Sequence, residues 1–341
     1  MRITVPVAAI LLIAPLSAQR GPSKPAETTN FTYQTKTFGS TAIGAEAQYG
    51  IYLPKGYDDK ENEKKTWPLV IWLHGMWEDH MRFSTRGGAP VLDQAVTDGK
   101  LPPCIFVLAN GGRTSMYVNR GDGKNYEDLI TKDLFAHITL NYRVADDRQQ
   151  RALMGISMGG MAALRIAFHN PEMFGTVAVH SSAVFPLDPQ QLPPRLMQAA
   201  KQFGLDEVFG DPIDKDKWAA CNPLGIAQKL DGKDLRGLRI YFDAGTDDRF
   251  NFAKGNGELH GVLDEKKIDH TWNLVKGGGH AWGSGFQDES LLTSLTFVGE
   301  TFTAASAKGG GLKGLDGILG GDKEEGDKKA GGGDKGGSGG K

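Results

Sequence analysis

The chain has 341 residues and sets 39 Lys and Arg against 41 Asp and Glu, a formal charge of −2. That balance lacks the basic face that neutralises phosphates, so no nucleic-acid partner is expected. Hydrophobic residues at 39% and aromatics at 9% suffice for a sizeable core, while two cysteines, Cys104 and Cys221, cannot alone build a disulfide scaffold or a four-ligand zinc site.

At the N-terminus Arg2 precedes a nearly unbroken apolar run, Ile3 to Leu16, and then Leu16-Ser17-Ala18 before Gln19. This pattern predicts a signal peptide over residues 1–18, cleaved after about Ala18, and hence a secreted or periplasmic protein. The run of about 14 residues falls short of the ~20 that span a bilayer, and no second such run follows, so no stable membrane span is expected. Residues 19–30, with Pro22 and Pro25 among small polar residues, read as a flexible linker.

From about residue 31 to 305 strand and helix signals alternate. Phe31–Phe38 and Ala45–Leu53 switch between apolar and polar, which suits an antiparallel start to a sheet. Val70–Leu73, Cys104–Ala109, Ala152–Ile156 and Thr176–Val179 are short apolar runs closed by turn residues, as in strands buried on both faces of a parallel sheet. Leu238–Phe242 and Trp272–Val275 add two more strands. Helices are predicted over Tyr126–Tyr142, Met158–Phe174, Glu258–Lys267 and Glu289–Ala305. The first of these sets Leu129, Ile130, Leu134 and Ile138 on one face.

The implied fold is α/β, a mostly parallel central sheet with helices on both faces, whose ligand chemistry collects at the carboxyl ends of the strands. Residues 185–230 break the rhythm with Pro186, Pro189, Pro193, Pro194, Pro212 and Pro223, and read as a Pro-rich excursion over the active site. From Ser306 onward Gly alternates with Lys, Asp and Glu, and much of the chain's glycine lies between Gly309 and Gly340. Residues 306–341 have too little apolar surface to offset chain entropy and are expected to be a disordered tail.

The chemistry centres on Gly155-Ile156-Ser157-Met158-Gly159-Gly160, a G-x-S-x-G between a strand and a helix. So tight a turn leaves the Ser157 hydroxyl exposed at a helix N-terminus, where unpaired N–H groups favour developing negative charge. A base should follow late in the chain. His280, in Gly277-Gly278-Gly279-His280-Ala281-Trp282 after the last strand, is the candidate. His80, His137, His169, His260 and His270 read as solvated, and His180 as a pocket-lining residue too close behind the nucleophile to be the base. After the penultimate strand Asp243, Asp247 and Asp248 are all available as the acid that orients the imidazole. Two backbone donors for an oxyanion are expected from Met158, after the nucleophile, and from Met76, on the turn His74-Gly75-Met76.

Leu73-His74-Gly75, the G-x-S-x-G, Gly245-Thr246-Asp247-Asp248 and Gly279-His280-Ala281-Trp282 occur in this order and spacing. Together they resemble the putative-esterase family of α/β-hydrolases over about Asn30 to Ala305. That family includes feruloyl and acetyl esterases, S-formylglutathione hydrolase, enterochelin esterases and antigen 85 mycolyltransferases. The resemblance implies the α/β-hydrolase fold, with Ser157 as nucleophile, His280 as base, and Met76 and Met158 as oxyanion donors. It implies Asp248 as the acid, the Asp three residues after the Gly of the family's G-x-x-D.

It further implies a serine carboxylic-ester hydrolase acting through an acyl-enzyme. The export signal points to acyl esters of carbohydrates, of acetyl or feruloyl type, whether small molecules or polysaccharides. An acyltransferase that passes the acyl group to a sugar hydroxyl is the alternative, and an inactive binding protein on the same scaffold a weaker one. Trp72, Trp77 and Trp282, near the top of the sheet, are candidates to face a sugar or aromatic ring, with a place in the core favoured for Trp72. No cofactor or metal is expected, since the Asp and His groupings lack ligand spacing and there is no phosphate loop. Acyl and alcohol specificity, oligomeric state and the pairing of Cys104 with Cys221 are not set by the sequence.

Overall fold

The computed structural model describes residues 25–192, 197, 202–280 and 288–316. The expected signal peptide, residues 19–24 of the linker, Trp282 and the chain beyond residue 316 lie outside the described residues.

The chain opens with a hairpin, β1 (Phe31–Ser40) and β2 (Ala45–Pro54), paired antiparallel with Phe31 opposite Pro54. Six more strands follow: β3 (Leu69–Leu73), β4 (Ile105–Ala109), β5 (Arg151–Ile156), β6 (Thr176–His180), β7 (Arg239–Gly245) and β8 (Thr271–Val275). Their order in the sheet is β1-β2-β4-β3-β5-β6-β7-β8, and every pairing from β4 to β8 is parallel. The main helices are α1 (Gly88–Thr97), α2 (residues 126–141), α3 (Met158–His169), α4 (Lys215–Cys221), α5 (Pro223–Lys229), α6 (Phe252–Glu265) and α7 (Asp288–Asp316).

Alternation within the apolar runs builds two cores, one on each side of the sheet. Leu69, Ile71 and Leu73 of β3 join α2, α3, α5 and α6 on one side, while Val70 and Trp72 join α1 and α7 on the other. Every residue of β3, β4 and β6 is therefore buried. Outermost β8 is not, and its Leu274 is 51% exposed. This is the α/β-hydrolase fold, with helices on both faces.

Several expectations shift. The helix over Tyr126–Tyr142 keeps Leu129, Ile130, Leu134 and Ile138 inward but widens to π geometry over Leu129–Leu134. The helix after Ser157 stops at His169, because Pro171 disfavours helical backbone at Asn170. The next helix begins at Phe252 rather than Glu258. Glycine at 255 hid this start, yet a side chain there would run into the Val184 carbonyl, so the glycine is what lets α6 pack. The C-terminal helix continues past Ser306 to Asp316. At the other end, the linker's Thr29 and Asn30 are tied down by backbone N–H donation to the Asp93 carboxylate at 2.7–3.1 Å. Cys104 and Cys221 are both free, Cys104 buried beneath the sheet.

Candidate active site

The parallel strands end together, so Leu73, Gly155, Val179 and Phe242 stand in one row across the sheet. Just beyond that row the chain turns sharply from β5 into α3. Ser157 sits at the turn with φ 56° and ψ −116°, a conformation that costs a non-glycine residue of order 1–3 kcal/mol. The surroundings enforce it. A Cβ on Gly155 would strike the Gly159 carbonyl, and one on Gly159 the Leu73 carbonyl, so both flanking glycines are sterically required. Ser157 N–H donates to the His180 carbonyl at 2.9 Å, which ties the turn to β6.

His280 Nε2 lies 3.0 Å from Ser157 Oγ, and its Nδ1 lies 3.0 Å from Asp248 Oδ2. With a carboxylate accepting at Nδ1, the proton sits there and Nε2 is free to accept from the serine hydroxyl. The Asp248 side chain is fully buried, and its other oxygen accepts from Phe250 N–H at 2.8 Å. The loops bearing acid and base are laced together. Asp247 N–H donates to the Gly278 carbonyl, Thr246 N–H to the Val275 carbonyl, and Gly277 N–H to Thr246 Oγ1. Phe250 and Phe252 close over the imidazole at ring distances of 4.6 and 5.5 Å.

Of the three carboxylates, Asp247 is exposed and accepts from Thr246 Oγ1, while Asp243 points elsewhere. Asp243 is buried in β7 and meets His180 Nδ1 at 2.9 Å, and His180 Nε2 meets Ser294 Oγ at 2.9 Å. The Tyr241 hydroxyl donates to the same carboxylate. His180 therefore does not line the pocket. It belongs to a buried polar cluster that ties α7 to the sheet, and burial pushes the Asp243 carboxyl up against the opposing pull of His180. His80 and the His270 side chain, read as solvated, are also buried.

Met76 and Met158 both border the pocket beside Ser157, and neither backbone N–H has a hydrogen-bond partner among the described residues. The loop carrying Met76 is held by groups that sequence spacing did not single out. His74 accepts from Gly111 N–H at Nε2 and donates from Nδ1 to the Gly75 carbonyl. Burial pushes this imidazole below its usual range, which keeps it neutral in that tautomer. Glu78 takes the Gly75 N–H at 3.0 Å and is itself held by Arg82 and Arg86. Trp77 is forced to φ 61°, which turns the chain over the pocket.

The cavity at Ser157 encloses about 120 Å³. Its walls are mostly apolar and aromatic, with Phe185, Leu192, Phe203 and Leu205 from the excursion alongside Phe250 and Phe252, and Glu78, Arg86 and Arg249 supply charge to the lining. Trp77 packs against Phe203 with the rings tilted by 30° at 4.9 Å and remains 42% exposed at the rim. Trp72 is instead packed in the core. Arg165, buried on α3, binds the Met116 and Tyr117 carbonyls and Glu127, and so holds another stretch of wall. Among the described residues, His, Cys and carboxylate ligand atoms gather at one place away from this pocket, at His260, Asp264 and His270.

Comparison with known proteins points to esterases. The chain is 30% identical over 147 residues to an endo-1,4-beta-xylanase/feruloyl esterase of Xylanibacter ruminicola, covering 42% of this chain and 20% of that protein. It is 28% identical over 261 residues to an esterase of Mycobacterium tuberculosis, covering 71% and 54% respectively. It thus spans about a fifth to a half of the length of these curated relatives. Among solved structures, a ferulic acid esterase superposes with a TM-score of 0.66 at 25% identity, covering 80% of this chain and 99% of that one. An S-formylglutathione hydrolase from Agrobacterium tumefaciens shares the fold, with a TM-score of 0.64 at 16% identity over 82% and 99%. The family model described as "Putative esterase" matches residues 40–294, and the chain belongs to that family of α/β-hydrolases.

Proposed function

We propose that the chain is a serine carboxylic-ester hydrolase working through an acyl-enzyme on Ser157. One observation carries this reading: the continuous Asp248–His280–Ser157 hydrogen-bond chain, 3.0 Å at each step, at the floor of the cavity. In the reaction His280 Nε2 takes the hydroxyl proton as Ser157 Oγ attacks the ester carbonyl. The oxyanion that forms is stabilised by the N–H groups of Met158 and Met76. His280 returns the proton to the departing alcohol, and water then repeats the sequence to release the acid. Asp248 holds the imidazole in the required tautomer and stabilises its charged form.

The substrate proposed is an acyl ester of a carbohydrate, with a feruloyl-type aromatic acid preferred to acetate. A flat aromatic acid suits walls made of Phe185, Phe203, Phe250 and Phe252. A relative and a structural neighbour named as feruloyl esterases support the same choice. Export, from the residue 1–18 pattern, would bring the enzyme to extracellular polysaccharide. Among the described residues no helix is long and apolar enough to cross a membrane.

The test is a panel of p-nitrophenyl acetate, p-nitrophenyl butyrate and methyl ferulate, with and without an acceptor sugar, using wild type and Ser157→Ala. Hydrolysis of methyl ferulate that Ser157→Ala abolishes is the expected result. Acylated sugar as the main product would replace hydrolase by acyltransferase. Unreduced turnover by a folded Ser157→Ala protein would overturn the mechanism.

A further inference from the structure

His260 and Asp264 lie one helical turn apart on α6 and so share a face, and His270 reaches the same point from the segment entering β8. Their ligand atoms all fall within 4.8 Å of one another. His260 Nδ1 is 2.7 Å from His270 Nε2, His260 Nε2 is 3.5 Å from Asp264 Oδ2, and His270 Nε2 is 3.8 Å from Asp264 Oδ1.

Proton bookkeeping at this point is unusual. His270 Nδ1 is 2.7 Å from the Ile268 carbonyl, which can only accept, so the His270 proton is on Nδ1 and its Nε2 presents a lone pair. A neutral His260 carries one proton. If that proton sits on Nδ1 it satisfies His270, and a bare Nε2 then faces the Asp264 carboxylate. If it sits on Nε2 it serves Asp264, and two lone pairs then meet at 2.7 Å. With both rings neutral two acceptors oppose each other, a conflict that either a second proton on His260 or a bound cation resolves.

The donor set also specifies the cation. Two imidazoles and one carboxylate suit zinc and its first-row neighbours, whereas magnesium and calcium prefer all-oxygen shells. A backbone carbonyl fixing the far nitrogen of a ligand histidine is the usual outer support of such a site. His270 has that support, and its ring is further locked by stacking on Phe242 at 5.6 Å and 15°. The His270 side chain is buried while Asp264 is largely exposed, which leaves an open side for water ligands and metal entry.

We propose that His260, Asp264 and His270 form a binding site for a divalent transition-metal cation of the zinc class. The ion clips α6 to the entry of β8, the outermost strand described, at the opposite end of that strand from the loop bearing His280. Ligand atoms on one zinc ion stand about 3.3 Å apart, so the two rings need to part by roughly half an ångström.

The experiment titrates ZnCl₂ into the full chain, prepared without a histidine tag in a non-chelating buffer, by calorimetry and by thermal melting. Wild type is expected to bind zinc and to melt several degrees higher with it, with magnesium chloride giving no shift. His260→Ala and Asp264→Asn, both at partly exposed side chains, should each weaken that binding at least about tenfold and lose the melting shift. Absence of zinc binding by wild type overturns the proposal. So does zinc binding that neither substitution weakens, because the ion would then sit elsewhere, for example at His280.

Discussion

Asp247 and Asp248 are neighbours in the chain and face opposite ways. Asp248 is buried with Oδ2 at 3.0 Å from His280 Nδ1, and Asp247 turns outward to Thr246 Oγ1. Asp248→Asn should therefore lower kcat by an amount on the order of 10⁴, the scale of the corresponding serine-protease substitution, since an amide favours the wrong imidazole tautomer. Asp247→Asn should leave kcat within about twofold, as its hydrogen bond to Thr246 is exposed and worth on the order of 1 kcal/mol or less. Steady-state kinetics of the two variants at neutral pH decide the matter, and the reverse ranking would move the acid by one residue.

His74 should matter to turnover without touching substrate. Its two hydrogen bonds set the Gly75 carbonyl and hence the direction of the Met76 N–H. In His74→Ala the donor loses its fixed aim, and kcat is expected to fall between about tenfold and a hundredfold, less than the 10²–10³ seen when an oxyanion donor is removed outright. KM should change little. A His74→Ala enzyme with unaltered kcat would show that the loop holds its shape without the imidazole.

The buried cluster of Asp243, His180 and Ser294 predicts a stability defect. Asp243→Ala removes the partner of His180 Nδ1 and of the Tyr241 hydroxyl in the core, a loss on the order of 1–3 kcal/mol by the usual cost of leaving a buried polar group unsatisfied. Urea unfolding monitored by tryptophan fluorescence measures it. A loss below about 1 kcal/mol would mean that the core rearranges to satisfy His180.

Glu127 gives a pH dependence with a definite sign. Burial alone would raise its carboxyl, but the His169 imidazole 3.7 Å away and the ion pair with Arg165 outweigh that and hold it below the ordinary carboxylate range. Its folded pKa is thus lower than its unfolded one. The stabilisation is complete above the ordinary carboxylate range and is lost as pH falls through the folded value. Glu127→Gln should be less stable than wild type at pH 7, by about 3 kcal/mol because Arg165 stays buried. The gap should narrow in acid. Urea unfolding of both proteins at pH 7 and near pH 3.5 tests it, and a gap that widens would reverse the sign.

The C-terminal helix should divide sharply by function. Leu291, Leu295, Val298 and Phe302 are fully buried, whereas 306–308 are exposed. Deleting everything after residue 308 should leave Tm unchanged. Phe302→Ala should cost about 3–5 kcal/mol. A fall of several degrees on truncation would mean that later residues pack on the domain.

Local physics made much of this protein legible from the chain alone. Apolar runs as short as Val70–Leu73 specify strands buried on both faces, because only an α/β sheet with two covered sides can house them. The glycines around Ser157 announce the turn for the same local reason: two backbone carbonyls lie where their side chains would be. The late Gly-rich His280 loop was readable as well, since its place after the last strand puts it on the same edge as Ser157.

What the chain could not display is any relation set by distance across the fold. Nothing in the pattern Asp243-Ala244-Gly245-Thr246-Asp247-Asp248 says which carboxylate turns inward, because that depends on the docking of Gly245 against Gly278. His180, Arg165 and His74 each have partners between 37 and 114 residues away in sequence. The meeting of His260 and Asp264 with His270 likewise exists only once α6 is laid against β8. Strands, helices and tight turns follow from forces acting within a few residues. Buried polar partnerships are chosen by which surfaces the finished sheet brings together, and only the tertiary structure decides them.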